Sequence, residues 1–194
     1  MKYNIKTATN RAARVLKAAA KRAAYPALLY AYTDKDGRQI VSDSFRIYRF
    51  KEQLDLAELL DDMLYPNMQK LFVPYEQGKT IGVAVPEISV LKSVIKAHGG
   101  KENAIYSFGD GFPSVKAQFL LEVLETFPDA ELYVAEENRL IKPIYAVSKH
   151  GDAMIAPFRW TSVPEQYEQQ PEPAEEEIET LTPDEFAERY ACAA

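Results

Sequence analysis

The sequence predicts an α+β domain, and two observations carry that expectation. Two segments, Met1 to about Phe50 and about Phe112 to Arg159, each read as a short strand, an amphipathic helix and a strand meander. A helix-and-meander unit used twice builds two layers, with helices on one face of antiparallel sheet. The chain also has 194 residues and 47% hydrophobic content, enough for one sizeable core without disulfide or metal.

In the first unit, Lys2 to Thr7 alternates, with Tyr3 and Ile5 on one side, and predicts a strand. Thr9 or Asn10 is the expected cap of a helix reaching about Ala24, with Ala12, Val15, Leu16, Ala19 and Ala23 as its apolar stripe. Tyr25-Pro26 ends it. Ala27 to Thr33 then reads as a strand, Asp34-Lys35-Asp36-Gly37 as a hairpin turn, and Gln39 to Ser42 and Phe45 to Phe50 as further strands.

Between the units, Leu54 to Leu64 has helical spacing, and Lys70 to Val73 and Thr80 to Val85 are apolar enough for strands. Pro86 opens a helix in which Ile88, Leu91, Val94 and Ile95 share a face until Gly99-Gly100. Ala104 to Phe108 reads as a strand. In the second unit, Val115 lies in a short strand before a helix to about Phe127, buried through Phe119, Leu120, Val123, Leu124 and Phe127. Ala130 to Ala135, Leu140 to Val147 and Ala153 to Ala156 form its meander. The division expected is a domain over residues 1–161 and an acidic tail over 162–194. The tail is rich in Glu, Gln and Pro, a composition that favours disorder, with a short helix conceivable after Thr182-Pro183.

Charge is unevenly distributed. The net charge is −6, but Pro164 to Ala194 holds ten acids and one base, so the tail is about −9 and the rest about +3. The first 33 residues contain seven bases, Lys2, Lys6, Arg11, Arg14, Lys17, Lys21 and Arg22, and no acid. That basic start suits contact with phosphate. Cys192 is the sole cysteine, so no intramolecular disulfide can form, and no apolar run approaches the ~20 residues of a membrane span. A cytoplasmic protein is expected.

Two strings are distinctive: Ser42-Asp43-Ser44-Phe45-Arg46-Ile47 after a hairpin, and Met154-Ile155-Ala156-Pro157-Phe158-Arg159 at the end of the fold. With the opening Met1-Lys2-Tyr3-Asn4-Ile5, and with Val115 to Leu124 as a strand-to-helix start, the chain over roughly Met1 to Trp160 resembles a domain of the bacterial DNA polymerase III beta subunit, the sliding clamp. The resemblance implies a DNA-clamp-like fold and duplex DNA passing basic helices that line a ring. It also implies a homo-oligomer. A bacterial clamp chain has three such domains, whereas this chain has room for one, so a ring would take about six copies. The counterpart helix, Lys116 to Phe127, has one base and the acids Glu122 and Glu125, which removes half the DNA-facing charge that the resemblance implies. A truncated clamp-like protein of a phage or mobile element fits this pattern.

The expected DNA-binding residues are therefore Arg11, Arg14, Lys17, Lys21 and Arg22, contacting double-stranded DNA without base readout. Asp43 and Arg46 are expected to pair internally and fix a strand turn, and Arg159 beside Trp160 to pair or stack. His98 and His150 lack metal-site spacing, and no phosphate loop or dinucleotide fingerprint is present. No cofactor, no metal and no enzymatic activity are expected. Gln53-Leu54-Asp55-Leu56 resembles the peptide by which many proteins dock on sliding clamps, but Ala57 stands where that motif has Phe, and Leu54 and Leu56 also suit a core. The alternative to a DNA-binding accessory protein is a protein-interaction module, such as a phage-encoded inhibitor of a host replication or defence protein.

Overall fold

A computed structural model describes residues 2–22, 26–59, 68–100 and 104–158. The chain divides into two units, Met1–Arg159 and Trp160–Ala194, and the second lies wholly outside the described residues, as do Arg159 and the expected tail helix.

Helix α1 spans Ile5–Lys21. It starts earlier than its expected cap because the Asn4 side chain accepts the Thr7 N–H at 3.1 Å. Thr9 lies inside the helix, where its hydroxyl donates to the Ile5 carbonyl at 2.9 Å. The strand expected over Lys2 to Thr7 is therefore not formed, and only Tyr3 keeps an inward contact, stacked 3.8 Å from the His150 ring. Pro26–Leu29 is a 3-10 turn where a strand was expected, which leaves β1 with Tyr32–Thr33 alone. Strands β2 (Gln39–Ser42) and β3 (Arg46–Phe50) follow. In the turn before β2, the Asp34 carboxylate accepts the N–H groups of Asp36 and Arg38, and Gly37 adopts φ 76°.

The segment after β3 departs furthest from expectation. Residues 54–59 are not helical, and Leu60 to Leu64 lie outside the described residues. The Gln39 side chain accepts the Leu54 N–H at 3.0 Å and donates to its carbonyl at 3.3 Å, taking both groups out of any helical ladder. Ala31 also pairs across to Ala57 and Leu59. Met68–Phe72 is a 3-10 helix running into α2 (Val73–Glu76) in place of the expected strand, with Pro74 in the first turn of α2, where its missing N–H costs nothing. Strand β4 (Thr80–Val83), helix α3 (Ile88–Ala97) and β5 (Ile105–Ser107) match the expected elements closely. So do β6 (Ser114–Lys116), helix α4 (Ala117–Thr126) and β7 (Glu131–Ala135). Strand β8 is shorter than expected, Ile144–Ser148, because Arg139–Ile141 is a 3-10 turn and Pro143 precedes the ladder. The last strand is β9, Gly151–Ile155.

Seven strands form one antiparallel sheet in the order β1-β2-β3-β9-β8-β7-β4, and β5 and β6 form a separate pair. The meanders β1-β2-β3 and β7-β8-β9 thus meet at β3 and β9, with Arg46 opposite Ile155 and Phe50 opposite Gly151. One sheet face, carrying Val41, Tyr48, Phe50, Leu132, Val134, Ile144, Ala146, Ala153 and Ile155, packs on α1, α3 and α4 through one continuous core. The other face carries Ile40, Ile47, Tyr145 and Met154, and Phe72 covers it. The expected two layers are present, and the 68–76 segment adds a partial third. Among the described residues no helix is long and apolar enough to cross a membrane.

Candidate nucleic-acid interface and the ion network beneath it

Helix α1 presents two faces because its apolar residues recur three and four apart. Ala8, Ala12, Val15 and Ala19 are buried against the sheet and α4. On the opposite side Lys6, Asn10, Arg14, Lys17 and Lys21 are all exposed, and the helix contains no acid. Lys6, Arg14, Lys17 and Lys21 form no ion pair among the described residues, so their charge is open to solvent.

The other two expected contacts are engaged within the fold. Arg11 is buried, with Nη1 3.0 Å from Glu122 Oε1 and Nη2 3.0 Å from Glu125 Oε2. Arg22 reaches Asp43 Oδ2 at 3.0 Å and lies 4.8 Å over the Phe45 ring. The cationic face of α1 therefore consists of Arg14, Lys17 and Lys21, extended by Lys6, with Arg11 and Arg22 on its flank.

Arg11 and Arg22 belong to one network. Asp43 starts the β2–β3 turn, and its Oδ1 accepts the N–H groups of Phe45 at 3.1 Å and Arg46 at 2.9 Å while Ser44 adopts a left-handed φ of 72°. Its Oδ2 receives Arg46 Nη2 at 2.7 Å. Arg46 crosses to α4, where it pairs with Glu122, and its guanidinium lies 4.2 Å over Phe119. The expected internal pairing of Asp43 with Arg46 is thus present, and it belongs to a chain of charges tying α1, the turn and α4 together. Glu122 and Glu125 serve as counter-charges for buried arginines, which explains two acids on a helix with no fully exposed residue.

Burial alone would raise the pKa of Asp43, but the Arg46 charge, its hydrogen bonds, the turn N–H of Phe45 and Arg22 together hold it below the usual 3.8. A carboxylate depressed in the folded state contributes stability that is full above its unfolded pKa and is lost as pH falls through the folded value. Stability should therefore fall on acidification from about pH 5 downward. Urea midpoints measured between neutral and acid pH should fall less steeply in Asp43→Asn than in the parent chain; equal slopes would remove Asp43 from the acid transition.

The remaining candidates do not gather into a catalytic site. His150 lies at the far end of β3 from Arg46, where Lys51 donates its N–H to the His150 carbonyl and Glu52 Oε1 sits 3.1 Å from the ring. His98 caps α3 and contacts the Val94 carbonyl. No group of three or more His, Cys, Asp or Glu side chains that could hold a metal ion occurs among the described residues. Leu54 is buried in the core and Leu56 packs against it, so the Gln53 to Leu56 string is not presented as a free docking peptide. Beside the ion network, Ser44, Phe45, Lys116, Phe119, Ala156, Pro157 and Phe158 line an open cleft of about 500 Å³.

The network was not legible in advance, since Arg11 and its partners on α4 lie more than a hundred residues apart. A signal did exist: two acids three residues apart on a helix otherwise mostly apolar call for buried cations. Comparison with protein-family models, with curated proteins and with solved structures finds no match to this chain.

Proposed function

We propose that this chain is a non-enzymatic, clamp-like accessory protein of DNA replication that holds duplex backbone through α1 and works as a homo-oligomer. The observation that carries the reading is the acid-free helix α1, whose Arg14, Lys17 and Lys21 share one exposed face without partners among the described residues. Support also comes from the repeated helix-and-meander units, whose helices lie on the same face of the joined sheet as in the family the sequence resembles. Contact would be with phosphates, so affinity should be independent of sequence and fall steeply with salt.

Solution mass alone and with duplex, at low and high salt, tests the reading. The expected result is an oligomer that binds any duplex at low salt, retains closed-circular DNA better than linear DNA, and loses affinity by about 0.9 in log K per log salt for each phosphate contact. A monomer indifferent to DNA at low salt would overturn it.

The cleft beside the β2–β3 turn favours a second reading, a protein-interaction module such as a phage-encoded inhibitor of a host replication or defence protein. Phe45 is 44% exposed at its edge and Lys116 flanks it, the mixture of an aromatic anchor and a charge that suits a peptide segment. A stable protein complex formed by a chain that ignores DNA would favour this reading over the first.

A further inference from the structure

We propose that duplex backbone lies across α1 and α3 together, with Lys92 and Lys96 of α3 as a second row of phosphate contacts; this rests on the DNA reading of α1. The helix layer has α4 in the middle, since α1 and α3 each pack on it, and every residue of α4 is buried or half-buried. The helix that follows the second unit's first strand thus has no fully exposed residue of its own, and α1 and α3 flank it with exposed faces.

One carboxylate registers the two outer helices. Glu125 of α4 receives Arg11 of α1 at 3.0 Å on Oε2 and Lys92 of α3 at 3.6 Å on Oε1. Lys92 therefore stands opposite the middle of α1, with Lys96 one turn further along the same exposed side of α3. The acids of the layer are consumed in the seam: Glu122 is held by Arg11 and Arg46, and Glu125 by Arg11 and Lys92. They do not cancel the outer rows. The Lys92 contact is long and its side chain is 60% exposed, so Lys92 can turn to a phosphate while Arg11 keeps Glu125 neutralised.

The spacing suits a duplex. Packed helices lie about 8–10 Å apart, which puts the α1 and α3 axes roughly 16–20 Å apart across α4. Long lysine and arginine side chains leaning over the seam can meet the two backbones that border a major groove about 12 Å wide.

The test is the salt dependence of duplex binding for the full chain, followed by fluorescence anisotropy, in Lys92→Gln, Lys96→Gln, the α1 pair Lys17→Gln with Lys21→Gln, and Lys70→Gln. Lys70 is exposed on the segment that covers the other sheet face and serves as the control. Lys92→Gln and Lys96→Gln should each reduce the salt slope by about 0.9, as expected for one lost phosphate contact, with Lys70→Gln unchanged. If both α3 variants behave like Lys70→Gln while the α1 pair weakens binding, the inference is overturned and the α1 reading stands. If the parent chain fails to bind duplex at low salt, both fall.

Discussion

Replacing Arg46 with methionine should lower unfolding free energy by about 3–5 kcal/mol at neutral pH, the cost of stranding buried charge by removing one partner. Asp43 is 0% exposed, and Arg46 supplies its shortest ion contact at 2.7 Å. On the other side, Glu122 would keep Arg11 as its one ion partner and the Gln118 side chain as a hydrogen-bond donor. Methionine conserves most of the volume, so the loss reports electrostatics and hydrogen bonding rather than a cavity. The triple variant Arg46→Met, Asp43→Asn, Glu122→Gln should recover a large part of the loss, because it removes the stranded carboxylates. Urea unfolding of the two variants decides the matter, and a loss under about 1 kcal/mol for Arg46→Met would show that the network does not hold the layers together.

Gly151→Ala should be comparably damaging for a steric reason. Gly151 opens β9 at φ 153°, and a Cβ there would stand 2.2 Å from the Arg49 carbonyl oxygen and 3.1 Å from Phe50 Cα. Both obstacles are backbone of the central strand β3, which cannot swing aside as a flexible side chain would. Backbone strain and overpacking each cost about 1–3 kcal/mol, so about 4 kcal/mol in sum is expected. For a chain of this length that is a fall in Tm of about 8–16 °C. Gly82→Ala is the control, since a Cβ on that strand meets nothing within 4 Å. Equal melting temperatures for the two variants would contradict the close approach of β9 to β3.

Much of this architecture was readable because local chemistry and tertiary demand agree. Helix α4, the β2–β3 meander and the break at Gly99-Gly100 have apolar periods and stop signals that the packing then uses. Two of the misread elements share a cause: a single side chain claims backbone groups the pattern assigned elsewhere. Asn4 captures the Thr7 N–H and turns an alternating run into helix, and Gln39 captures Leu54 and unmakes one. At the interface, the charge of α1 was evident, but which cations face solvent was not. Arg11 and Arg14 are one turn apart, and only the acids of a distant helix separate the buried one from the exposed one.

The central pairing of β3 with β9 has a kinetic side. Arg46 and Ile155 sit opposite each other at a sequence separation of 109, and the sheet has no other seam joining its two meanders. During synthesis the first meander must therefore wait, with Ile47, Tyr48 and Phe50 uncovered on its edge strand, until nearly all of the described chain has emerged. Closing so long a loop before any native contact rewards it places this chain among slow, high-contact-order folders. In that interval its own unpaired β3 is the surface most exposed to wrong partners.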